Sequence, residues 1–180
     1  MNILEKVYFE FLFHNMTIQE FEKEIYENQE IEKLINNEDY IELISLDFSS
    51  KYIFNEIELI LDKYIEFSKY YKNKLITMID IALNQSKGTA LVLMEFYDMY
   101  CHGCEFLQTL GLDYGLTCVV PPTANEWFDL SEQEQDSLVK SFYPKIIVHL
   151  AEVRQWIEND KILITRYDER NMKYIFTDKR

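Results

Sequence analysis

Cys101-His102-Gly103-Cys104 is the local cluster whose residue types and spacing could bind a metal or carry redox chemistry. Two thiolates three residues apart can share a zinc ion, but a closed zinc site needs four ligands. The remaining candidates, Cys118, His14 and His149, form no second pair at ligand spacing. A thioredoxin-type site needs its first cysteine at a helix N-terminus, whereas the periodicity puts this motif deep inside a helix. The pattern therefore favours packed or solvent-facing thiols, with a metal or small-ligand sensor as the alternative.

No other pattern in the sequence indicates a reaction. The histidines have no serine or cysteine partner at a telling spacing, and His149 with Glu152 is an ordinary side-chain pair on a helix. Carboxylate pairs such as Glu38-Asp39 could perform acid–base chemistry, but 32 acidic residues make such pairs common by chance. There is no His-Glu-x-x-His, no Gly-x-Ser-x-Gly and no Walker loop. We therefore expect that the protein is not an enzyme and uses no cofactor. The alternative is an enzyme whose active site is assembled from residues that lie far apart in the sequence.

The composition predicts a mainly helical domain. The chain has 180 residues, of which 48% are hydrophobic, enough for a sizeable core. The chain has only 4 glycines and 3 prolines, which are too few for the many tight turns of an all-β fold. The formal net charge of −14 repels nucleic acid and anionic membranes and attracts basic proteins. We therefore expect a basic protein partner, and neither a nucleic-acid nor a membrane partner.

Three observations predict a cytoplasmic protein. The first 14 residues contain Glu5 and Glu10 within an apolar pattern and lack the basic start and cleavage site of a signal peptide. No run of about 18 apolar residues is free of charge, so a membrane-spanning helix is not expected. The cysteines, Cys101, Cys104 and Cys118, are odd in number, which fits reduced thiols better than a disulfide framework.

A capping box marks the first clear helix. Thr17 with Glu20 three residues later predicts a helix over about 18–27. Its apolar side consists of Ile18, Phe21 and Ile25, and its opposite side of Glu20, Glu24 and Glu27. This helix would therefore turn a row of carboxylates toward solvent.

Apolar repeats predict four more helices before residue 111. They cover about 39–46, Ile53 to Tyr64, about 75–85 after a polar stretch at 68–74, and Thr89 to about Leu110. Ser49 or Ser50 is the predicted cap of the second of these helices. Gly88 and Gly111 are the predicted stops of the third and the fourth.

The helical pattern breaks after Gly111. Residues 112–122 contain Gly115, the β-favouring run Leu116–Val120 and Pro121-Pro122, which together predict an extended segment. Two helices follow, one over about 132–142 from the capping box of Ser131 and Glu134, and one from Pro144 to about Asn159.

Alternating residues at 161–167 and 172–177, around turn residues 168–171, predict a terminal hairpin. An isolated hairpin is marginal in water, so we expect it to pack on the helices and to pair with residues 116–120 as a third strand. The predicted fold is mainly α, a single-domain helical bundle of about six to eight helices with a small C-terminal antiparallel β-hairpin, with α+β as the alternative. Within the domain 1–180, the parts are 1–110 helical, 111–130 irregular or extended, 131–160 helical and 161–178 β-hairpin.

Negative charge is concentrated near the N-terminus. Residues 1–50 contain 12 acidic and 3 basic side chains, a net charge of −9. Both a solvated surface and a docking surface that steers a basic protein explain this excess. For the docking surface, the candidate binding residues are Glu20, Glu24, Glu27, Glu38 and Asp39, with Tyr26, Tyr40 and Trp127 as aromatic anchors.

A second candidate surface surrounds Trp127-Phe128. It includes Asp113, Tyr114, Asn125 and Glu126, in a stretch where loops are predicted, and loops often carry recognition. An aromatic pair beside polar groups can be a binding hot spot, or it can fill the bottom of the core. We favour the core for Trp127-Phe128.

Several stretches of the chain resemble one class of bacterial proteins. They are Phe21 and Tyr26, the run Tyr40–Lys51 (YIELISLDFSSK), Gly111–Leu116 (GLDYGL), Pro121-Pro122 and Ser141–Pro144 (SFYP). In these stretches, spread over most of its length, the chain resembles small acidic cytoplasmic immunity proteins of polymorphic toxin systems. The resemblance implies a protein without chemistry of its own, which binds one toxin domain and blocks its active site or substrate path. A basic nuclease domain is the kind of toxin that an acidic inhibitor would suit.

Overall fold

The structure, a computed structural model, describes residues 2–12, 15–86, 88–168 and 170–180. These residues form ten α-helices and one two-stranded antiparallel hairpin. The predicted mainly α fold with a small C-terminal hairpin is thereby confirmed. The chain divides into two compact units, Met1–Glu66 and Phe67–Arg180. The single domain over residues 1–180 stays a prediction.

The N-terminal unit consists of five helices. They are α1 (Ile3–Leu12), α2 (Ile18–Glu27), α3 (Gln29–Leu34), α4 (Asn37–Ile44) and α5 (Ile53–Leu61), the last followed by a 3-10 turn at Asp62–Tyr64. The predicted capping box is present, since the Glu20 N–H donates to Thr17 Oγ1 at 3.3 Å and the Thr17 N–H donates to Glu20 Oε2 at 2.8 Å. Helix α2 therefore begins and ends where the sequence predicts.

Stacked aromatic rings hold this unit together. The ring of Phe11 on α1 lies 4.4 Å from the ring of Phe21 on α2 and 4.4 Å from the ring of Phe54 on α5. Phe21 and Ile25 are fully buried, which fixes the side of α2 that faces the core. Because burial of one large apolar side chain stabilises a fold by about 1.5–3 kcal/mol, these contacts determine the orientation of α2.

The predicted serine cap of α5 is wrong. The residue before α5 is Tyr52, whose side chain makes no capping hydrogen bond. Ser50 Oγ accepts the Tyr52 N–H at 3.2 Å, and Ser49 donates to Asp47 instead. Both serines thus stabilise the turn before the helix rather than its first N–H groups.

The C-terminal unit contains five α-helices, short segments of other helix types and the hairpin. The α-helices are α6 (Phe67–Leu83), α7 (Thr89–Cys101), α8 (Leu116–Val119), α9 (Glu132–Ser141) and α10 (Lys145–Glu158). Two 3-10 turns (Glu105–Leu107, Trp127–Asp129) and a π-helix (Thr109–Gly115) lie between them. Strands β1 (Ile162–Asp168) and β2 (Lys173–Asp178) form the hairpin, with Leu163 opposite Thr177 and Asp168 opposite Lys173. Among the described helices, none combines the length and apolar composition needed to cross a lipid bilayer.

The strongest local signals of this unit are confirmed. The capping box of Ser131 and Glu134 is present at the start of α9. Pro144, which follows a cis peptide bond, is the residue directly before α10, so this helix begins at Lys145, one residue later than predicted. The polar stretch 68–74, by contrast, is not a separate segment but belongs to α6, where Lys72 and Lys74 form ion pairs with Asp160 and Glu95.

The extended segment predicted at 112–122 is wrong. The chain there continues as the π-helix and α8, and the sheet of the described residues has two strands, without a third at 116–120. The two glycines explain this outcome. A Cβ at Gly111 would lie 3.1 Å from the Phe96 carbonyl oxygen, and a Cβ at Gly115 would overlap the Leu93 carbonyl oxygen. Both glycines therefore permit close packing against α7 and do not mark a helix stop.

We predict that Gly115→Ala destabilises the protein by about 1–3 kcal/mol, because the added methyl group must push α7 away. Gly88→Ala is the matched control, since a Cβ there meets its nearest atom at 3.4 Å, an ordinary contact. Urea unfolding followed by circular dichroism measures both variants. Equal midpoints for the two variants would contradict the close approach of Gly115 to α7.

Candidate functional site

The Cys-His-Gly-Cys motif forms the end of α7. The Cys104 N–H donates to the Met99 carbonyl at 2.9 Å, and Gly103 has a φ of +98°, a conformation that favours glycine. The His102 carbonyl accepts the Tyr174 N–H of β2 at 2.8 Å. The motif thus ends a helix and fastens the hairpin to it.

The thiols of the motif have different surroundings. Cys101 is exposed, whereas Cys104 and Cys118 are buried. Burial raises the pKa of the Cys104 thiol well above its usual value and the pKa of Cys118 to about 12. No group of three or more His, Cys, Asp or Glu side chains suited to a metal ion occurs in the described part of the chain. His14 lies outside the described residues.

Trp127 and Phe128 have opposite exposures. Trp127 is 7% exposed and Phe128 is 76% exposed. Gln135 Nε2 donates to the carbonyls of Trp127 and Leu130, both at 3.1 Å, and holds this turn against α9. Trp127 therefore fills the core and is not available as the predicted surface anchor, because its ring has almost no contact with solvent.

The N-terminal unit carries most of the negative charge. Its 66 residues contain 16 acidic and 5 basic side chains, a net charge of −11, against −3 for the remaining 114 residues. Glu20, Glu27 and Glu38 are exposed, whereas Glu24, which the helical wheel predicted to face solvent, is half-buried. The carboxylate of Glu20 belongs to the capping box, where hydrogen bonds from Thr17 lower its pKa.

The two predicted anchors Tyr26 and Tyr40 connect α2 with α4. The Tyr26 hydroxyl donates to the Ile44 carbonyl at 2.7 Å, and the Tyr40 hydroxyl donates to the Ile25 carbonyl at 3.2 Å. Tyr40 is half-buried, and this burial raises its pKa. Tyr26 is 52% exposed, so its ring remains accessible although its hydroxyl is fixed.

Asp39 is not a free carboxylate at the surface, which corrects its assignment as a binding residue. Lys63 Nζ donates to Asp39 Oδ1 at 2.6 Å, and Asn36 Nδ2 and the Tyr64 hydroxyl donate to Oδ2. These bonds, that from Lys63 first, hold the pKa of Asp39 below its ordinary value. With 10% of its side chain exposed, Asp39 joins α4 to the turn after α5.

Three glutamates lie around one shallow, open cleft. Glu24, Glu27 and Glu30 are among the residues that line this cleft of about 560 Å³ at the corner between α2 and α3, and Lys33 is the one cation among the lining residues described. Glu24 and Glu30 form no ion pair with any described residue. Glu27 faces Lys23 at 3.9 Å, but both side chains are about two-thirds exposed, and such pairs contribute little.

Glu30 is a surface carboxylate that is not among the predicted binding residues, because no helix was predicted between Glu27 and Asp39. Asn28 both ends α2 and caps α3, with its Oδ1 accepting the Glu30 N–H at 3.1 Å. An asparagine followed by Glu30 and Glu32 is the signal that could have found this second helix start.

We define the acidic surface as a set of exposed or half-buried carboxylates of α2, α3 and α4 together with one aromatic ring; its members are Glu20, Glu24, Glu27, Glu30, Glu38 and Tyr26. This surface is suited to bind the basic side chains of a partner, since it provides hydrogen-bond acceptors and negative charge. No protein-family model, curated protein or solved structure matches the chain. The function must therefore be inferred from this geometry and charge.

We predict that Asp39→Asn lowers the thermal unfolding midpoint at pH 7 by several degrees, because the ion pair with Lys63 is lost. The lowered pKa of Asp39 means that the folded chain holds this carboxylate ionised more firmly than the unfolded chain does. Its contribution is therefore complete above the unfolded pKa of about 4 and disappears as the pH falls through the folded pKa. Thermal melts from about pH 7 down to about pH 2 should show the difference from wild type narrowing.

The exposed neighbour provides the control for this variant. Glu38→Gln removes the same charge one residue away without touching Lys63, so we expect a smaller change at pH 7. A difference between wild type and Asp39→Asn that stays constant at all pH values would contradict a contribution from the ionised Asp39.

Proposed function

We propose that this protein is a non-catalytic, protein-binding inhibitor that works in the bacterial cytoplasm as the immunity protein of a cognate toxin domain. The toxin would present a basic surface, as a nuclease does, and would bind to the acidic surface of the N-terminal unit. The grouping of Glu24, Glu27 and Glu30 around one shallow cleft, in the unit that carries most of the negative charge, is the observation that supports this proposal best.

Negative charge of this density favours a basic partner for a physical reason. Neighbouring carboxylates repel one another, and a cationic partner relieves this repulsion while the opposite fields raise the association rate. The structure of α2 keeps three of these carboxylates in fixed relation, because its apolar side is buried. A partner with matching basic residues therefore meets a preformed surface and needs little ordering.

Tyr26 is suited to anchor such a partner. Its hydroxyl already donates to the Ile44 carbonyl at 2.7 Å, so the ring is held in place before binding. A half-exposed ring of fixed orientation can be covered by a partner without much loss of side-chain freedom. Tyrosine rings of this kind are frequent among the residues that contribute most to protein–protein binding.

Inhibition by this surface requires no reaction. A nuclease domain binds phosphates through basic residues, so an acidic protein competes with nucleic acid for the same groove. Blocking that groove, or the path of the substrate to it, is sufficient to protect the cell.

We predict that, at low ionic strength, the triple variant Glu24→Lys, Glu27→Lys, Glu38→Lys associates with the toxin domain at least about tenfold more slowly than wild type does. The difference should shrink at about 1 M salt, where the Debye length is about 3 Å. Stopped-flow fluorescence measures the rate constants. Glu20 and Asp39 are left unchanged because their carboxylates stabilise the fold.

The control is the triple variant Glu105→Lys, Asp113→Lys, Glu152→Lys. It replaces three exposed acidic side chains of the C-terminal unit and therefore changes the net charge by the same amount as the first variant. We expect it to associate much faster than the first variant. Equal slowing in both would assign the effect to net charge, and unchanged kinetics of the first variant at low salt would refute the electrostatic part of the proposal.

A further inference from the structure

The C-terminal hairpin is a basic element in an acidic chain. Residues 161–180 contain 6 basic and 3 acidic side chains, a net charge of +3, whereas residues 1–160 have a net charge of −17. Averaging over the whole chain, as the net charge of −14 does, hides this local excess. A partner that contacts a surface directly responds mainly to the charges of the nearest side chains. Charges that lie more than about 8 Å away are largely screened by salt at physiological ionic strength.

The two faces of the hairpin differ sharply. On the inner face, Ile162 and Ile164 are buried, and β1 packs against α6. The ring of Phe176 meets Phe106 at 5.2 Å, and Tyr174 meets Tyr71 at 5.4 Å. The inner face is thus part of the core of the C-terminal unit.

The outer face is largely exposed, and half of its side chains are basic. Along β2 it presents Lys173, Ile175, Thr177 and, just beyond the strand, Lys179, which pair with Asp168, Arg166, Leu163 and Lys161 on the β1 side. Four of these eight side chains are basic and one is acidic. Lys161, Lys173 and Lys179 are exposed and form no ion pair with any residue that the structure describes.

Two apolar side chains accompany these cations. Ile175 is 46% exposed in the middle of the outer face, and Met172 is 57% exposed where the chain enters β2. Met172 belongs to the turn between the strands and has a backbone φ of +50°, in the left-handed region. Arg170 and Lys173 flank Met172 in the sequence.

We propose that the outer face of the hairpin docks on the surface of an anionic phospholipid bilayer. Lysine and arginine side chains bind the negative headgroups, and each contributes only within about a Debye length of the surface. Met172 and Ile175 enter the boundary between headgroups and acyl chains, as the apolar residues of peripheral anchors do. Nucleic acid is also anionic, but it offers no apolar layer for these two side chains, which favours the bilayer.

This docking is independent of the inhibitor function, because it uses the opposite charge and a different unit of the chain. The acidic remainder opposes it at long range, so the contact is weak and depends on ionic strength. Binding is expected to be stronger at about 0.15 M salt than at about 1 M, where the attraction of the lysines is screened as well.

The test uses the purified full chain and sedimentation with sucrose-loaded vesicles of phosphatidylcholine, with or without phosphatidylserine. We expect sedimentation with the vesicles that contain phosphatidylserine only. The triple variant Lys161→Glu, Lys173→Glu, Lys179→Glu should lower the vesicle-bound fraction about tenfold or more. The control triple variant Lys33→Glu, Lys51→Glu, Lys145→Glu replaces three exposed lysines outside the hairpin and changes the net charge by the same amount. Its vesicle-bound fraction should stay within about twofold of that of wild type.

A second variant separates the bilayer from nucleic acid. Met172→Gln with Ile175→Thr keeps every charge, and we expect it to weaken vesicle binding severalfold. Circular dichroism confirms that each variant is folded. Wild-type protein that ignores vesicles containing phosphatidylserine, or equal loss in both triple variants, would overturn the proposal. So would binding to a short DNA duplex that the Met172→Gln, Ile175→Thr variant retains in full while vesicle binding is also unchanged.

Discussion

The burial of one side of α2 is the interaction on which the acidic surface depends. Phe21 and Ile25 are fully buried, and the ring of Phe11 packs against that of Phe21 with ring centres 4.4 Å apart. Because a helix repeats every 3.6 residues, fixing these two positions inside places Glu27 outside and Glu24 at the edge of the buried side. The same packing brings the end of α2 to α3, where Glu30 joins the other two carboxylates at the cleft. The core thus determines the geometry of the charge.

The carboxylates of the N-terminal unit serve two purposes. Glu20 and Asp39 are used within the fold, the first in a capping box and the second in an ion pair with Lys63. Glu24 and Glu30 have no such use among the described residues and remain available to a partner. Together with the net charge of −11 on the N-terminal unit, the grouping of Glu24, Glu27 and Glu30 around one shallow cleft is why we favour a docking surface.

Local signals in the sequence predicted much of the fold, and signals that depend on distant residues were missed. The capping boxes at Thr17 and Ser131 and the alternation of the hairpin involve neighbours within a few positions, and all three are present. Gly115 was interpreted as a break because its role, close approach to Leu93, depends on a helix about 20 residues earlier. Glycine has the same appearance in a sequence whether it ends a helix or lets two segments touch.

The site shows the same limit. The exposed glutamates of α2 follow from periodicity, but the partner of Asp39 is Lys63, 24 positions along the chain, and no local pattern identifies it. Trp127 and Phe128 are adjacent aromatic residues, and only the surrounding fold decides which of them is buried. The basic face of the hairpin was hidden by the average charge of the chain, since charge alone does not reveal which side chains share a strand face.

The most direct test of the proposed inhibition is co-expression with a candidate toxin domain that has a basic surface, with host growth and co-purification on the tagged toxin measured together. We predict that growth is restored and that the two proteins purify as a stable one-to-one complex, because the acidic surface covers a basic surface of the toxin. Cell death without any complex would contradict the claim for that pair of proteins.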